Sequence, residues 1–197
     1  MSSKVHYKFS RYLLALLRHR AISLGYTIDD RGYVSVDEIL SKCNNMNLSV
    51  IKTIVETDNK SRFELTDRGN NTWYIRAVQG HSMPGINPDL VLVTDSADIP
   101  FVVHGTNPTA YDQIKMTGLN RMERSHIHFA HGTPDDVSVV SGMRKNSSVL
   151  IFIDAAKAMA DGIQFYKSSN GVILSNGING VIDCKYFAKV EYNYQIV

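Results

Sequence analysis

The sequence predicts an α+β protein built from two lobes. Three observations carry this expectation. Helical spacing of apolar residues is concentrated in the first 57 positions, two alternating segments follow directly, and the second half is dominated by short β-branched and aromatic runs. The lobes are expected over residues 1–82 and 99–197. Between them, residues 83–98 read as a connector with at most one short strand, because three of the five prolines fall within residues 83–100.

In the first lobe, Phe9, Leu13, Leu16 and Leu17 recur at helical spacing and Gly25 closes the region. Ser35 is expected to cap a helix over Val36–Lys42, with Glu38 completing a capping box. Asn47 is placed to cap a third helix over Leu48–Thr57. Arg62–Thr66 and Thr72–Ala77 alternate like strands around the turn-rich DRGNN. Three short helices followed by a hairpin describe a winged helix.

The second lobe is expected to hold strands over Phe101–His104, His126–Ala130, Val149–Asp154, Gln164–Tyr166, Val172–Leu174 and Tyr186–Tyr192. Helices are expected over Thr109–Thr117, Pro134–Ser141 and Ala155–Ala160. Strands separated by short helices and glycine turns indicate a mixed β lobe rather than a doubly wound parallel sheet. Phe165 and Tyr166 read as core residues rather than a stacking platform.

Composition narrows the class. With 197 residues, 44% hydrophobic and 20% charged, the chain reads as globular. No apolar run reaches the roughly 20 residues of a membrane span, and MSSKVHYKFS is too polar for a signal peptide. Two cysteines, Cys43 and Cys184, make no disulfide framework, so a reducing compartment is expected. Residues 1–82 hold 12 Lys/Arg against 8 Asp/Glu, whereas residues 83–197 hold 9 against 11, so a polyanion would favour the first lobe.

Arginine and histidine recur in short strings: Arg18 and His19 in LLRHR, Arg62 in SRFEL, Arg76 in IRAVQGHS and Arg124 in ERSHIH. Arginine stays charged and grips phosphate oxygens through a planar fork, so these strings point to phosphate chemistry. On an α-helix, Arg11 and Arg18 share a face and His19 lies about 100° further round. The same Arg18–His19 pair could simply complement a helix macrodipole. Gln79, His81 and Ser82 follow Arg76 around Gly80 and offer donors suited to a phosphate or ribose, or form an ordinary turn. His104 ends an apolar strand before a glycine turn and a helix start, a place where backbone N–H groups converge. His126, His128 and His131 could ligate zinc, although Arg124 beside them would repel a cation, and the metal reading is the lesser one. Ser141, Gly142 and Arg144 form either a basic surface turn or a further phosphate contact.

Taken in order, SRYLLALLRH, GYVSVDEIL, NKSRFEL, IRAVQGHS, VHGT, GLNRMERSHIHFA, VSGMR, IFIDAAKAMADGIQFY and SNGVIL resemble the RNA 2′-phosphotransferases of the KptA type, from about residue 8 to about residue 190. Two departures are Val78, where the family often has Asn, and Val102, where it often has Tyr. The resemblance implies a winged-helix N-terminal lobe and an ADP-ribosyltransferase-like C-terminal lobe that binds NAD. It implies removal of an internal RNA 2′-phosphate, as at a tRNA splice junction, by transfer to NAD. The intermediate would be an ADP-ribosylated phosphate, and the products nicotinamide, 2′-hydroxyl RNA and ADP-ribose 1″,2″-cyclic phosphate.

The family's catalytic set falls on Arg18, His19, Arg62 and Arg124. Its counterpart of the ADP-ribosyltransferase signature falls on His104 and His128, with Val172 at the third, apolar place, and His104, Gly105 and Thr106 would hold the nicotinamide ribose. Ser141, Gly142 and Arg144 are further NAD candidates, and Arg76, Gln79, His81 and Ser82 face RNA or the cleft. On this reading NAD is a consumed co-substrate, no metal is required, and the enzyme is a monomer in the cytoplasm, or the nucleus of a eukaryote. The site would draw charge from both lobes. Two other readings stay open: ADP-ribosylation of terminal RNA or DNA phosphates, and a non-catalytic winged-helix RNA-binding protein.

Overall fold

A computed structural model describes residues 3–132, 143 and 147–192, with backbone alone for residues 3–5. The expected helix Pro134–Ser141 lies outside the described residues. The architecture is α+β, and the chain divides into two compact units, Met1–Asp89 and Leu90–Val197.

In the first unit, α1 (Ser3–Ala15) runs directly into a π-helical segment, Leu16–Arg20. The wider turn there corrects the α-helical face arithmetic for Arg11, Arg18 and His19. A π turn inside a helix re-aims the side chains that follow it. Strand β1 (Val34–Ser35) leads into α2 (Val36–Lys42). The expected capping box does not form. The Ser35 side chain makes no cap bond, and the Glu38 carboxylate is taken by the Thr27 N–H at 3.0 Å and by Lys42 at 2.9 Å. α3 (Leu48–Glu56) is capped as expected, the Asn47 side chain accepting from the Val50 N–H at 3.0 Å. The hairpin forms from β2 (Phe63–Asp67) and β3 (Trp73–Ala77), and β3 also pairs with β1 in the order β1-β3-β2. Leu13, Leu16, Leu17, Ile39, Ile51 and Ile75 fill the space between helices and sheet and are almost fully buried. Burying each such side chain contributes roughly 1.5–3 kcal/mol.

Arg76 of β3 is inside this unit, 4% exposed. Its guanidinium meets Glu64 at 2.7 Å and Asp89 at 2.9 Å, and it donates to the Arg31 carbonyl at 3.3 Å. It also lies 4.5 Å from the centre of the Tyr33 ring, which Arg68 approaches at 4.7 Å. Burial, then the hydrogen bond to Glu64, pushes the Tyr33 phenol up to about 12. Burial would raise the Glu64 carboxyl, yet the bonds from Tyr33 and Arg76 hold it below its ordinary range. Arg31 pairs with the same Asp89, at 2.7 Å. The residue at the end of the unit is therefore tied to its interior.

In the second unit every strand pairing among the described residues is antiparallel. Strands β4 (Val91–Leu92), β9 (Phe165–Lys167), β10 (Ile173–Ser175) and β7 (Ile127–Phe129) form one sheet in that order. Strands β12 (Phe187–Tyr192), β8 (Val149–Ile153) and β5 (Val103–Thr106) form another. An isolated bridge, Val103 to Ala130, joins β5 to the end of β7. Two strands the sequence does not signal, β6 (Leu119–Asn120) and β11 (Val181–Ile182), pair with each other. Two helices complete the unit, α4 (Pro108–Thr117), capped by Asn107, and α5 (Ala155–Ala160), capped by Asp154. Phe129, Phe165, Leu119, Ile151 and Tyr186 anchor its core; Phe165 is fully buried and Tyr166 only partly. No helix among the described residues is long and apolar enough to cross a membrane.

Arg76→Met keeps most of the side-chain volume but takes the buried guanidinium from Glu64 and Asp89, leaving them Tyr33 and Arg31 as partners. The change should lower stability by about 2–3 kcal/mol, less than the ~3–5 kcal/mol of a fully buried pair because Glu64 and Asp89 keep contact with water. Urea denaturation of the full chain, followed by fluorescence of the single tryptophan, Trp73, checks this. A change below about 0.5 kcal/mol, the scale of an ordinary surface substitution, would show the network to be dispensable.

Candidate active site

Arg18, His19 and Arg62 come from two distant stretches of the first unit and are fastened by a third. That third stretch is Val78–Ser82, the segment after β3. Its Val78 N–H donates to the Arg62 carbonyl at 3.0 Å, and its Ser82 N–H donates to the Arg18 carbonyl at 2.9 Å. Ser82 Oγ lies 2.8 Å from His19 Nδ1. Gly80 sits against Arg18, so that a Cβ there would come within 3.2 Å of both Arg18 Cζ and Nε. Its φ of +89° is a conformation that side-chain-bearing residues rarely adopt. Gly80 is thus required twice, by the turn and by the guanidinium lying on it.

Arg62 does not begin the strand as expected but stands immediately before β2. Asp58, four residues earlier, holds it. Asp58 accepts from the Arg62 backbone N–H at 2.6 Å and from Nε at 2.9 Å, and it also bonds Nη2. The Asp58 carboxylate is 2% exposed against 28% for the Arg62 side chain. Burial alone would raise the Asp58 carboxyl, but hydrogen bonds from the Arg62 side chain and backbone outweigh it and hold it below the usual carboxylate range. Ser61, between them, takes a φ of +44° to close the turn. Nη1 of Arg62 makes no hydrogen bond among the described residues. One edge of the guanidinium is anchored, and the remaining donors can meet an anion. Sequence reasoning missed Asp58, although its spacing from Arg62 was visible.

Gln79 and His81 are buried, His81 at 1% exposure, and the Nε2 of His81 would lie 3.0 Å from a Cβ on Gly32. Both sit within the unit's packing, while Ser82 reaches His19. Arg76, grouped with them in the sequence, is occupied by Glu64 and Asp89.

In the second unit, His104 on β5 points its Nδ1 to the His128 carbonyl, 3.0 Å away. A carbonyl only accepts, so Nδ1 carries the proton and Nε2 of the neutral ring is an acceptor. His104 also packs edge-on against Phe129. Gly105 has no room for a Cβ beside Met143 and Ser147. Thr106 ends β5 just before the start of α4. Val172 is fully buried, and its N–H and carbonyl both bond Ser168. Ser141, Gly142 and Arg144 lie outside the described residues.

Arg124 is exposed in the turn after β6, its N–H bonded to the Arg121 carbonyl at 3.2 Å. Of the three histidines that could suggest a metal, His126 packs edge-on against Tyr166 and precedes β7 rather than lying in it. Burial, then the nearby Arg121 charge, lowers its basicity. His131 donates from Nδ1 to the Gly171 carbonyl at 3.2 Å. No group of three or more His, Cys, Asp or Glu among the described residues is placed to hold a metal ion.

The model of the RNA 2′-phosphotransferase, Tpt1 / KptA family matches residues 4–177. A Schizosaccharomyces pombe relative is 42% identical over 189 residues, covering 95% of this chain and 51% of its own length, so this chain spans about half of that protein. The Danio rerio tRNA 2′-phosphotransferase 1 is 36% identical, with 93% of this chain and 84% of the relative aligned. The Saccharomyces cerevisiae tRNA 2′-phosphotransferase is 35% identical over 87% of this chain and 79% of its own. On the extent of the family match, the chain belongs to the RNA 2′-phosphotransferase, Tpt1 / KptA family.

Proposed function

We propose that this chain is an NAD-dependent RNA 2′-phosphotransferase that removes an internal RNA 2′-phosphate, with tRNA as the substrate class its relatives' names suggest. The observation that carries this reading is the fastening of Arg18, His19 and Arg62 by the single segment Val78–Ser82, in a chain of this family. Such a cluster holds positive charge in a fixed arrangement, and preorganised charge stabilises a phosphoryl-transfer transition state without reorganising.

On this reading the first unit has a winged-helix role in gripping RNA, and the second is ADP-ribosyltransferase-like and takes NAD as a co-substrate. His104, Gly105 and Thr106 hold the nicotinamide ribose, with His128 fixing the tautomer of His104; the acceptor Nε2 and the closely packed backbone at Gly105 suit a ribose hydroxyl. An oxygen of the RNA 2′-phosphate attacks the ribose carbon bearing nicotinamide, and nicotinamide leaves with the bonding pair. The ribose 2″-hydroxyl then attacks phosphorus. The RNA 2′-oxygen leaves and takes up a proton, and ADP-ribose 1″,2″-cyclic phosphate is released. The nucleophile of the first step is already an anion, so orientation rather than a carboxylate base is what the site must supply. Charge accumulates in the second step; Arg18, His19 and Arg62 clasp the 2′-phosphate, Arg124 supports the transferred group near NAD, and His19 is the group among them able to deliver a proton near neutral pH. Loss of the arginines should therefore harm the second step more.

Arg62→Ala, given NAD and a short RNA with an internal 2′-phosphate, should accumulate ADP-ribosylated RNA and form cyclic product at least about 100-fold more slowly, the scale seen when one preorganised charge-stabilising donor is lost. Normal turnover without accumulation refutes the assignment. An RNA carrying only a 5′-phosphate, run in parallel, reports whether terminal-phosphate ADP-ribosylation also occurs.

Ser82→Ala removes the partner of His19 Nδ1. The rate should fall by about 3- to 10-fold, equivalent to the ~0.5–1.5 kcal/mol of one hydrogen bond. The pH–rate profile of the variant should change shape, and an unaltered profile would count against His19 as the proton donor.

Because guanidinium groups take the charge-neutralising part in this scheme, activity should persist in excess EDTA. Complete loss that added magnesium restores would replace this part of the mechanism with metal-assisted transfer.

A further inference from the structure

The turn that carries Arg124 is held in an unusual way. β6 ends at Asn120, and the Arg121 N–H prolongs its pairing by donating to the Gly180 carbonyl at 2.9 Å. The chain then folds back. The Asn120 side chain accepts from the Met122 N–H at 2.7 Å, and Met122 takes a φ of +55°, uncommon for a residue with a side chain. The Arg121 guanidinium reaches over its own turn and donates from Nη1 to the Arg124 carbonyl at 2.7 Å. The reciprocal backbone bond, Arg124 N–H to the Arg121 carbonyl, closes the loop.

Gly180 makes this possible. Its φ is +85°, and a Cβ there would fall 3.0 Å from Arg121 Nε and 3.4 Å from Cγ and Cδ. The Arg121 side chain therefore lies flat on the glycine backbone, with its planar head aimed at the carbonyl. Lysine has no planar fork of this kind, and a shorter side chain would not span the turn.

We propose that Arg121 is a positioning residue whose guanidinium fixes the turn bearing Arg124, so that the Arg124 side chain meets the transferred phosphate. This rests on the catalytic reading of Arg124 given above. Arg121 touches no reacting atom; it acts through the carbonyl of Arg124. A turn whose backbone is held gives the side chain it carries a fixed origin, and a reacting geometry depends on such fixing.

The test compares Arg121→Met, of similar length but without donors, with Arg121→Lys, which keeps a charged donor group, in the full chain. Arg121→Met should lower kcat for cyclic product about 10- to 100-fold, in line with the ~100-fold that a displacement of about 1 Å can cost. KM for NAD and for RNA should stay within about threefold, and Arg121→Lys should recover at least a third of the lost rate on a logarithmic scale. In the double variant with Arg124→Ala, the Arg121 change should add less than about twofold, because contributions made through one residue are not additive.

Amide exchange provides a readout independent of turnover. The Arg124 N–H should exchange at least about tenfold faster in Arg121→Met while the β8 amides are unaffected, as expected for a local opening. Unchanged exchange at Arg124, or an Arg121 effect that multiplies fully with that of Arg124→Ala, overturns the proposal. If the unmodified protein turns over no 2′-phosphorylated RNA with NAD, the functional reading fails instead, and the exchange result still decides the Arg121 contact.

Discussion

Two backbone N–H groups, those of Val78 and Ser82, satisfy the carbonyls of Arg62 and Arg18. Backbone carbonyls left unpaired at the end of a helix or outside a strand need partners, and this segment supplies them to two other parts of the chain at once. Because the bonds are to main chain, they fix where each arginine starts without spending its charge. Side-chain contacts then refine the placement: Gly80 lets Arg18 lie close, and Ser82 Oγ meets His19. The π-helical segment Leu16–Arg20 belongs to the same arrangement, since it presents Arg18 and His19 to this segment while Leu16 and Leu17 stay in the core.

Arginines in this chain serve two purposes, and their carboxylate partners separate them. Arg76 is enclosed, with Glu64 and Asp89 both on its guanidinium and Tyr33 against its face. Its charge is consumed locally, and its role is cohesion. Arg62 is gripped on one edge by a single buried carboxylate and remains partly exposed. A held but incompletely neutralised guanidinium suits recognition of an oxyanion, because it has lost orientational freedom and kept donors. The same residue type thus acts as mortar in one place and as a binding group in another.

Sequence patterns made much of the local structure legible. Ala155–Ala160, the Asn47 cap and the hairpin around DRGNN follow from capping, alternation and turn chemistry, which are local. What escaped notice depends on geometry between segments. β6 and β11 are two residues each, too short to leave a period, and exist because they pair with one another. Leu13, Leu16 and Leu17 fit an α-helix, so nothing in their spacing reveals the π turn that begins at Leu16. Ser35 and Glu38 match a capping box, yet the Thr27 N–H competes for the carboxylate. In the candidate site, the arginine and histidine strings are conspicuous by residue type. The residues that hold them, Asp58 and Arg121, are nearby in sequence but look like ordinary surface charges until their partners are seen. Arg76 shows the converse, a conspicuous arginine whose burial no local pattern reveals.

The pairing of Asp89 with Arg31 and Arg76 bears on how the protein could be divided. Asp89 lies beyond the last strand of the first unit, yet it supplies part of the counter-charge for a guanidinium in that unit's interior. A shortened polypeptide ending at the hairpin, where helices and strands are already complete, would leave that interior cation with only Glu64. The smallest self-sufficient piece is therefore set by electroneutrality rather than by secondary structure, and a protease cutting just before Asp89 would loosen a fold whose helices and strands it never touched.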